Sequence, residues 1–173
     1  VILGFIVLGV IVSAAGVGSD SNKSATTGSG SSVKTEDKET VAKVGEPARD
    51  GKFEFTVKSV TCGKASVGTN QYLTKTAQGQ YCLMDLTIKN IGNEKQSLLS
   101  SDQKLFNAAG QEYSADDTAT MYNSTDTAST WYNDINPGNS VSGVIVFDIP
   151  KDQTPVSAEL HDSAFSNGVK VNL

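Results

Sequence analysis

From Gly45 onward, apolar and polar residues alternate in short runs that Gly, Asn, Asp and Pro separate. The clearest run is residues 80–90, where every second position is apolar: Cys82, Met84, Leu86 and Ile88. This alternation is typical of an antiparallel strand with one buried face. Several such runs between turn residues predict an all-β sandwich or barrel. No segment of this region shows a sustained 3.6-residue period, so the pattern predicts strands and not helices.

Further runs predict the other strands. Residues 52–62 change their apolar face part-way along, which predicts a β-bulge near Ser59. A hairpin is expected through Ala109 and Gly110, between residues 97–107 and 111–114. Residues 140–149 are apolar on both parities and predict a central strand. The last two strands are expected at residues 158–161 and 169–173.

The first eighteen residues contain no charge, and Ser13 is their only polar side chain. This length and composition predict a transmembrane helix or a signal segment. Small residues near its end would allow cleavage after Ala15. Either interpretation exports the rest of the chain, as a membrane-anchored protein or as a secreted one. No cysteine lies near this segment, which excludes an acylated-cysteine anchor.

Residues 19–43 are rich in Gly, Ser, Thr and charges and contain no aromatic residue. Such a segment buries too little apolar area to offset the entropy of ordering it. We therefore expect a disordered linker over 19–43 between the predicted membrane or signal segment (1–18) and one folded domain (44–173).

Cys62 and Cys82 are the only cysteines. In an exported chain, two cysteines predict a structural disulfide, because oxidising compartments preserve such bonds. A redox role is disfavoured because the CxxC spacing is absent. The bond is expected to pin the base of a loop over residues 63–81.

The charge and motifs exclude several function classes. The net charge of −5 falls on residues 45–173, which hold ten Lys or Arg and fifteen Asp or Glu, so nucleic acid is a poor partner. His161 is the only histidine, and no hydrolase, zinc or phosphate-loop motif occurs. We therefore expect a protein that is not an enzyme and has no cofactor; a hydrolase would have to depend on His161.

The polar stretch 115–130 shows no regular pattern and is longer than most connections, and long loops are often functional. Asp116, Asp117, Asp126 and Asp134 lie in it or beside it, so an oxygen-ligand calcium site within residues 115–134 is conceivable. The acids lack the spacing of a known calcium loop, which favours an ordinary solvated loop.

Aromatic side chains lie in and around the same stretch. Tyr122, Trp131 and Tyr132, with Tyr72 in the loop between the cysteines, form a candidate interaction surface if they are exposed. The alternative for Trp131 is that it starts a strand and fills the end of the sandwich.

The phrases FTVKSVTCG, DLTIKNIGNE, INPG and FDIP follow one another in a recognisable order. Over residues 44–173 they resemble the extracellular immunoglobulin-like domain of unknown function found in actinobacterial-type secreted and membrane-anchored proteins. That domain is similar to the immunoprotective extracellular antigen superfamily and is sometimes mislabelled as telomeric repeat-binding factor. The resemblance implies an immunoglobulin-like antiparallel β-sandwich, export and no established activity. It carries over no functional residue.

Two functions of different classes follow. The leading prediction is a non-enzymatic cell-envelope interaction module that displays its domain outside the membrane and meets an unknown envelope protein or glycan. The alternative is an extracellular small-ligand or calcium sensor that uses the acidic 115–134 loop.

Overall fold

The computed structural model of the protein describes residues 41–123 and 133–173. Their strands are β1 (Ala42–Lys43), β2 (Pro47–Asp50), β3 (Phe53–Asn70), β4 (Leu73–Asn90), β5 (Lys104–Asn107), β6 (Glu112–Ser114), β7 (Ser140–Ile149), β8 (Pro155–Leu160) and β9 (Val169–Asn172). Two short helices accompany them, a 3-10 turn at Ser100–Asp102 and α1 at Asp117–Asn123. Neither of the helices in these ranges is long and apolar enough to cross a membrane.

The strands form two sheets with the orders β1-β9-β8-β5-β6 and β2-β3-β4-β7. The predicted all-β, two-sheet sandwich is therefore confirmed. One pairing departs from the antiparallel prediction, because β1 runs parallel to β9, with Ala42 beside Val171. Strand β1 also begins two residues before the predicted domain start. The predicted segment 1–18 and residues 19–40 of the linker lie outside the described residues.

The main core lies between the sheets. The alternation in β4 correctly predicts which residues of that strand belong to the core. Cys82, Met84, Leu86 and Ile88 are all fully buried, as the period of two predicts. They pack against residues of both sheets: Phe53, Phe55, Val57, Leu105, Ile145, Phe147, Ala158, Leu160 and Val171. A core assembled from alternating positions of two sheets is the usual interior of a sandwich.

Strands β3 and β4 form one long hairpin. Its register shifts between Val57 and Ser59, which confirms the predicted bulge, and it shifts again at three points farther along. The predicted disulfide joins Cys62 to Cys82 across the two strands. The prediction of a loop over residues 63–81 is wrong, because both strands continue past the disulfide and pair to Asn70 and Leu73. Local sequence missed this because bulges interrupt the alternation there.

Strand β7 has the predicted bounds but not the predicted central place, since it is the edge of the four-stranded sheet. Residues 115–120 cover that edge. The Asp116 N–H donates to the Val146 carbonyl oxygen at 2.8 Å, and the Val146 N–H donates to the Thr120 hydroxyl oxygen at 3.0 Å. Because this segment covers the edge, β7 can carry apolar side chains at both odd and even positions although it is an edge strand.

Residues 115–130 are also not irregular throughout, because α1 occupies Asp117–Asn123. Helix α1 packs on the outer face of the four-stranded sheet. A second apolar cluster forms beneath it from Val67, Tyr81, Ala119 and Val146. Seven residues are too few for a helical period to show in sequence, and a helix of this length depends on tertiary packing.

Candidate interaction surface at the hairpin tip

The β3–β4 hairpin ends in a turn that Asn70 organises. The Asn70 side-chain oxygen accepts hydrogen bonds from the N–H groups of Tyr72 at 2.9 Å and Leu73 at 3.0 Å. The Thr74 hydroxyl donates to the Asn70 carbonyl oxygen at 2.5 Å. An Asn side chain that bonds to backbone two residues later makes an Asx turn. These bonds restrict the backbone that carries Tyr72. We call residues 69–74 the hairpin tip.

The hairpin tip presents an aromatic ring among uncharged polar groups. The Tyr72 residue is 84% exposed, and Leu73 beside it is 39% exposed. Residues 65–74 read ASVGTNQYLT and contain no charged side chain. An exposed tyrosine with hydroxyl and amide neighbours is the composition of surfaces that bind other macromolecules.

An ion pair joins one leg of the hairpin to α1. The Lys75 ammonium lies 2.7 and 2.6 Å from the two carboxylate oxygens of Asp116. The same carboxylate accepts the Ala119 N–H at 2.9 Å, which caps the start of α1. Val67 of β3 packs in the same apolar cluster as Ala119. The hairpin beyond the disulfide is therefore held against the body of the sandwich at two points.

The hairpin tip lies far from the end where the described chain begins. Val41 lines a cavity of about 330 Å³ together with Arg49 and Glu159. Arg49 pairs with Glu54 near the start of β3, and Asn70 follows Glu54 by sixteen positions along β3. At about 3.3 Å per residue this is on the order of 50 Å of strand contour. We call the region around Val41 and Arg49 the entry end.

The loop over residues 161–168 lies at the entry end. The Asp162 carboxylate accepts the Lys52 N–H at 2.9 Å, and the Asp162 N–H donates to Asp50 at 2.7 Å. Both bonds tie this loop to the turn between β2 and β3. The loop carries Phe165, which is 99% exposed. Among the described residues, an exposed aromatic side chain thus lies at each end of the β3–β4 sheet, Tyr72 at the hairpin tip and Phe165 at the entry end.

The other predicted surface residues divide into two groups. Tyr122 lies on α1 and is half-buried, so it is less available than Tyr72. Trp131 and Tyr132 lie outside the described residues, and whether Trp131 fills the end of the sandwich stays a prediction. Of the two predicted surface residues that the structure describes, Tyr72 is the one that is openly exposed.

The acidic residues of the predicted calcium loop have separate partners. Asp116 pairs with Lys75, Asp117 accepts the Ser100 hydroxyl at 2.6 Å, and Asp134 pairs with Lys95 at 2.6 Å. The hydrogen bond and charge of Asp134 raise the pKa of Lys95. Within residues 41–123 and 133–173, no three His, Cys, Asp or Glu side chains are placed to hold a metal ion. Asp126 lies outside those ranges. No observation here favours a calcium site.

His161 is buried in a polar cluster at the entry end. Its Nε2 lies 3.0 Å from the Glu159 carboxylate, and its Nδ1 lies 3.3 Å from the Ser166 hydroxyl. The Ser166 hydroxyl donates to the Ser163 carbonyl oxygen at the shorter distance of 2.9 Å. The imidazole thus sits between a carboxylate and a hydroxyl that is already engaged, which is the arrangement of a packed polar residue.

Tyr81 is a residue that the alternation misassigns. It shares the outer face of β4 with Asp85 and Thr87, which the pattern predicts to be solvated, yet it is fully buried beneath α1. Its hydroxyl has no hydrogen-bond partner within residues 41–123 and 133–173. Burial, with a smaller effect from Asp116 and Asp148, raises the pKa of Tyr81 to about 12. No local signal could have found this, because the covering helix begins 36 residues later.

The family model described as a domain of unknown function, DUF4352, matches residues 42–171. The chain belongs to this family. The matched range begins in β1 and ends within β9, so the DUF4352 domain comprises both sheets and the hairpin tip. No curated protein matches the chain.

Several solved structures resemble the DUF4352 domain in fold. A conserved hypothetical protein from Bacillus anthracis is 20% identical with a TM-score of 0.54, over 74% of this chain and 94% of that one. The yjhA protein from Bacillus subtilis is 20% identical with a TM-score of 0.55, over 77% and 99%. MPT63, a secreted protein from Mycobacterium tuberculosis, is 14% identical with a TM-score of 0.56, over 77% and 96%. At these identities the likeness shows the fold alone.

The comparisons agree with the predicted resemblance at one level. They show a β-sandwich domain of unknown function whose structural neighbours include a secreted protein. The comparisons do not extend to the narrower resemblance, which is to the immunoprotective extracellular antigen superfamily.

Proposed function

We propose that this DUF4352 protein is a non-enzymatic interaction module of the cell envelope that contacts its partner through the hairpin tip. The observation that carries the proposal is the exposed Tyr72 on a turn that Asn70 fixes. Exposed aromatic residues in pre-ordered positions are the usual anchors of macromolecular interfaces. The partner is an envelope protein or glycan.

The proposed location is outside the membrane. A disulfide between Cys62 and Cys82 suits an oxidising compartment, and the fold is shared with a secreted mycobacterial protein. Residues 1–18 would anchor the chain in the membrane, or release it if cleavage follows Ala15. We also propose that the sandwich is of the immunoglobulin-like class and that the domain is related to the immunoprotective extracellular antigen superfamily.

The arrangement of the domain supports such a display. The chain enters the sandwich at the entry end, whereas the hairpin tip lies at the far end of β3. Within the domain, the hairpin tip is therefore separated by most of the length of β3 from the region where the described residues begin. Nucleic acid is not a proposed partner, because the domain is acidic.

Photo-cross-linking on intact cells tests the proposal. A photoreactive benzoylphenylalanine replaces Gln71 at the hairpin tip in one variant and Phe165 at the entry end in another. We expect a discrete adduct from position 71 on the outside of the cell. Absence of any adduct from both positions would overturn the interaction function. An adduct from position 165 alone would keep the function but assign it to the entry end.

A further inference from the structure

Resting on the proposed function, we propose that the hairpin tip is a rigid, uncharged knob that inserts the Tyr72 ring into an apolar pocket of a separate protein. The class of partner is thus a protein with a pocket the size of a phenol ring, lined by apolar groups and rimmed by hydrogen-bonding ones.

The shape of the hairpin tip favours a protein pocket over a polysaccharide. Strands β3 and β4 pair as far as Asn70 and Leu73, so only Gln71 and Tyr72 make the turn. A single ring at the end of a two-stranded ribbon is convex. A sugar chain needs a groove or a flat platform along which successive residues lie, and a convex end provides neither. A convex end does fit a concave pocket, where interface anchors are found.

Because the hairpin tip is rigid, it loses less conformational entropy when it binds. Three side-chain hydrogen bonds around Asn70 fix the turn before any partner arrives. Farther down the hairpin, the disulfide joins the two legs to each other, and the Lys75–Asp116 ion pair ties one leg to the residue that precedes α1. Pre-ordering of this kind converts more of the contact energy into affinity.

The charge distribution predicts how binding depends on salt. Residues 65–74 carry no charge, and the nearest cation along β4, Lys75, is paired with Asp116. A contact without charged groups gains nothing from long-range attraction, and salt has nothing to screen. An anionic envelope polymer would meet no free cation within residues 65–75.

The chemistry of the hairpin tip resembles that of loops specialised for binding proteins. Such loops combine tyrosine, which supplies a large contact area with few rotatable bonds, with Ser, Asn and Gly, which supply adaptable hydrogen bonds. Residues 65–74 offer Tyr72 as the anchor and Leu73 as a partly exposed apolar neighbour. The surrounding hydroxyls and amides come from Ser66, Thr69, Asn70, Gln71 and Thr74.

The test repeats the cross-linking from position 71 of the full chain with variants of Tyr72. Tyr72→Ala should reduce the yield of a single protein adduct by about tenfold or more, the loss typical of an interface anchor. Tyr72→Phe should keep most of the yield, since the ring remains. Phe165→Ala, at the other end of the domain, is the matched control and should change nothing. Raising NaCl from 0.1 to 0.5 M should leave the yield within about twofold.

Several outcomes would overturn the inference while leaving the proposed function intact. These are an adduct that glycosidases degrade and proteases spare, an adduct of two copies of this chain, a yield that falls steeply with salt, and equal yields for Tyr72→Ala and the unaltered tip. An unchanged urea midpoint for Tyr72→Ala shows that any loss of yield comes from the contact and not from unfolding.

Discussion

A fully buried tyrosine, Tyr81, and a partly buried one, Tyr113, test what an unpaired hydroxyl does to the stability of this domain. The Tyr81 hydroxyl has no hydrogen-bond partner in the described part of the chain, whereas the Tyr113 hydroxyl accepts a hydrogen bond from the Asn107 side chain at 3.0 Å. Removing an unpaired buried hydroxyl relieves a desolvation penalty, so Tyr81→Phe should leave the free energy of unfolding unchanged or raise it by about 1 kcal/mol. Tyr113→Phe should lower it by about 1 kcal/mol. Urea unfolding of both variants measures these free energies. A larger decrease for Tyr81→Phe than for Tyr113→Phe would contradict the burial of an unpaired hydroxyl.

The raised pKa of Tyr81 predicts a loss of stability at alkaline pH. An unfolded tyrosine titrates near pH 10, whereas burial raises the pKa of Tyr81 to about 12 in the folded protein. The fold therefore favours the neutral phenol, and this contribution is fully present below pH 10 and lost as the pH rises towards 12. Between pH 9 and pH 11.5 the wild type should lose roughly 2 kcal/mol more than Tyr81→Phe. Equal losses in the two proteins would show that Tyr81 titrates normally.

At the scale of elements, the cover over the edge of β7 depends on one hydroxyl. The buried N–H of Val146 has the Thr120 hydroxyl oxygen as its acceptor, in place of a neighbouring strand. Thr120→Val keeps the shape but leaves that N–H unpaired, which should lower the free energy of unfolding by about 1–3 kcal/mol. Thr118→Val is the matched control, because Thr118 is exposed on the same helix. Equal effects of the two substitutions in thermal and urea unfolding would show that the bond to β7 is unimportant.

The disulfide should matter most to the far half of the hairpin. Replacing Cys62 and Cys82 with serine removes a cross-link between residues 20 apart, which should lower the free energy of unfolding by about 3 kcal/mol. Amide hydrogen exchange should accelerate over residues 63–81 before it does in β8 and β9, which lie in the other sheet. Uniform acceleration throughout the domain would mean that the hairpin does not open on its own.

At the scale of the whole molecule, the open edge of β3 bears on self-association. Strand β2 pairs with β3 only over Phe53–Thr56, and no other described strand continues along that side. Bulges and the exposed Lys64 interrupt the remaining edge, as in proteins that avoid edge-to-edge pairing. Lys64→Val should therefore increase association at high concentration, measured by sedimentation velocity. Lys89→Val, on a strand with neighbours on both sides, should not; equal association of both variants would refute edge protection.

Patterns of two to ten residues predicted much of this molecule. The period of two in β4 gave the buried set from Cys82 to Ile88, and the parity change gave the bulge beside Ser59. The presence of two cysteines, in a chain predicted to be exported, predicted the disulfide. Tyr72 was a candidate because it is aromatic in a polar segment. The structure confirms the buried set and the bulge, which depend on neighbours along the chain, and the disulfide, which depends on there being two cysteines to pair. The role of Tyr72 in an interaction stays a prediction, although the structure exposes its side chain.

Other features depend on elements that only the folded chain brings together. Sequence by itself determined which face of β4 lies in the main core, that a bulge lies beside Ser59 and that the cysteines pair. The tertiary structure alone decided that β7 is an edge, that α1 buries Tyr81, and that Lys75 meets Asp116 from 41 residues away. The physical reason is that an apolar pattern records burial but not what provides it, since a sheet, a helix or a capping segment removes the same surface from water.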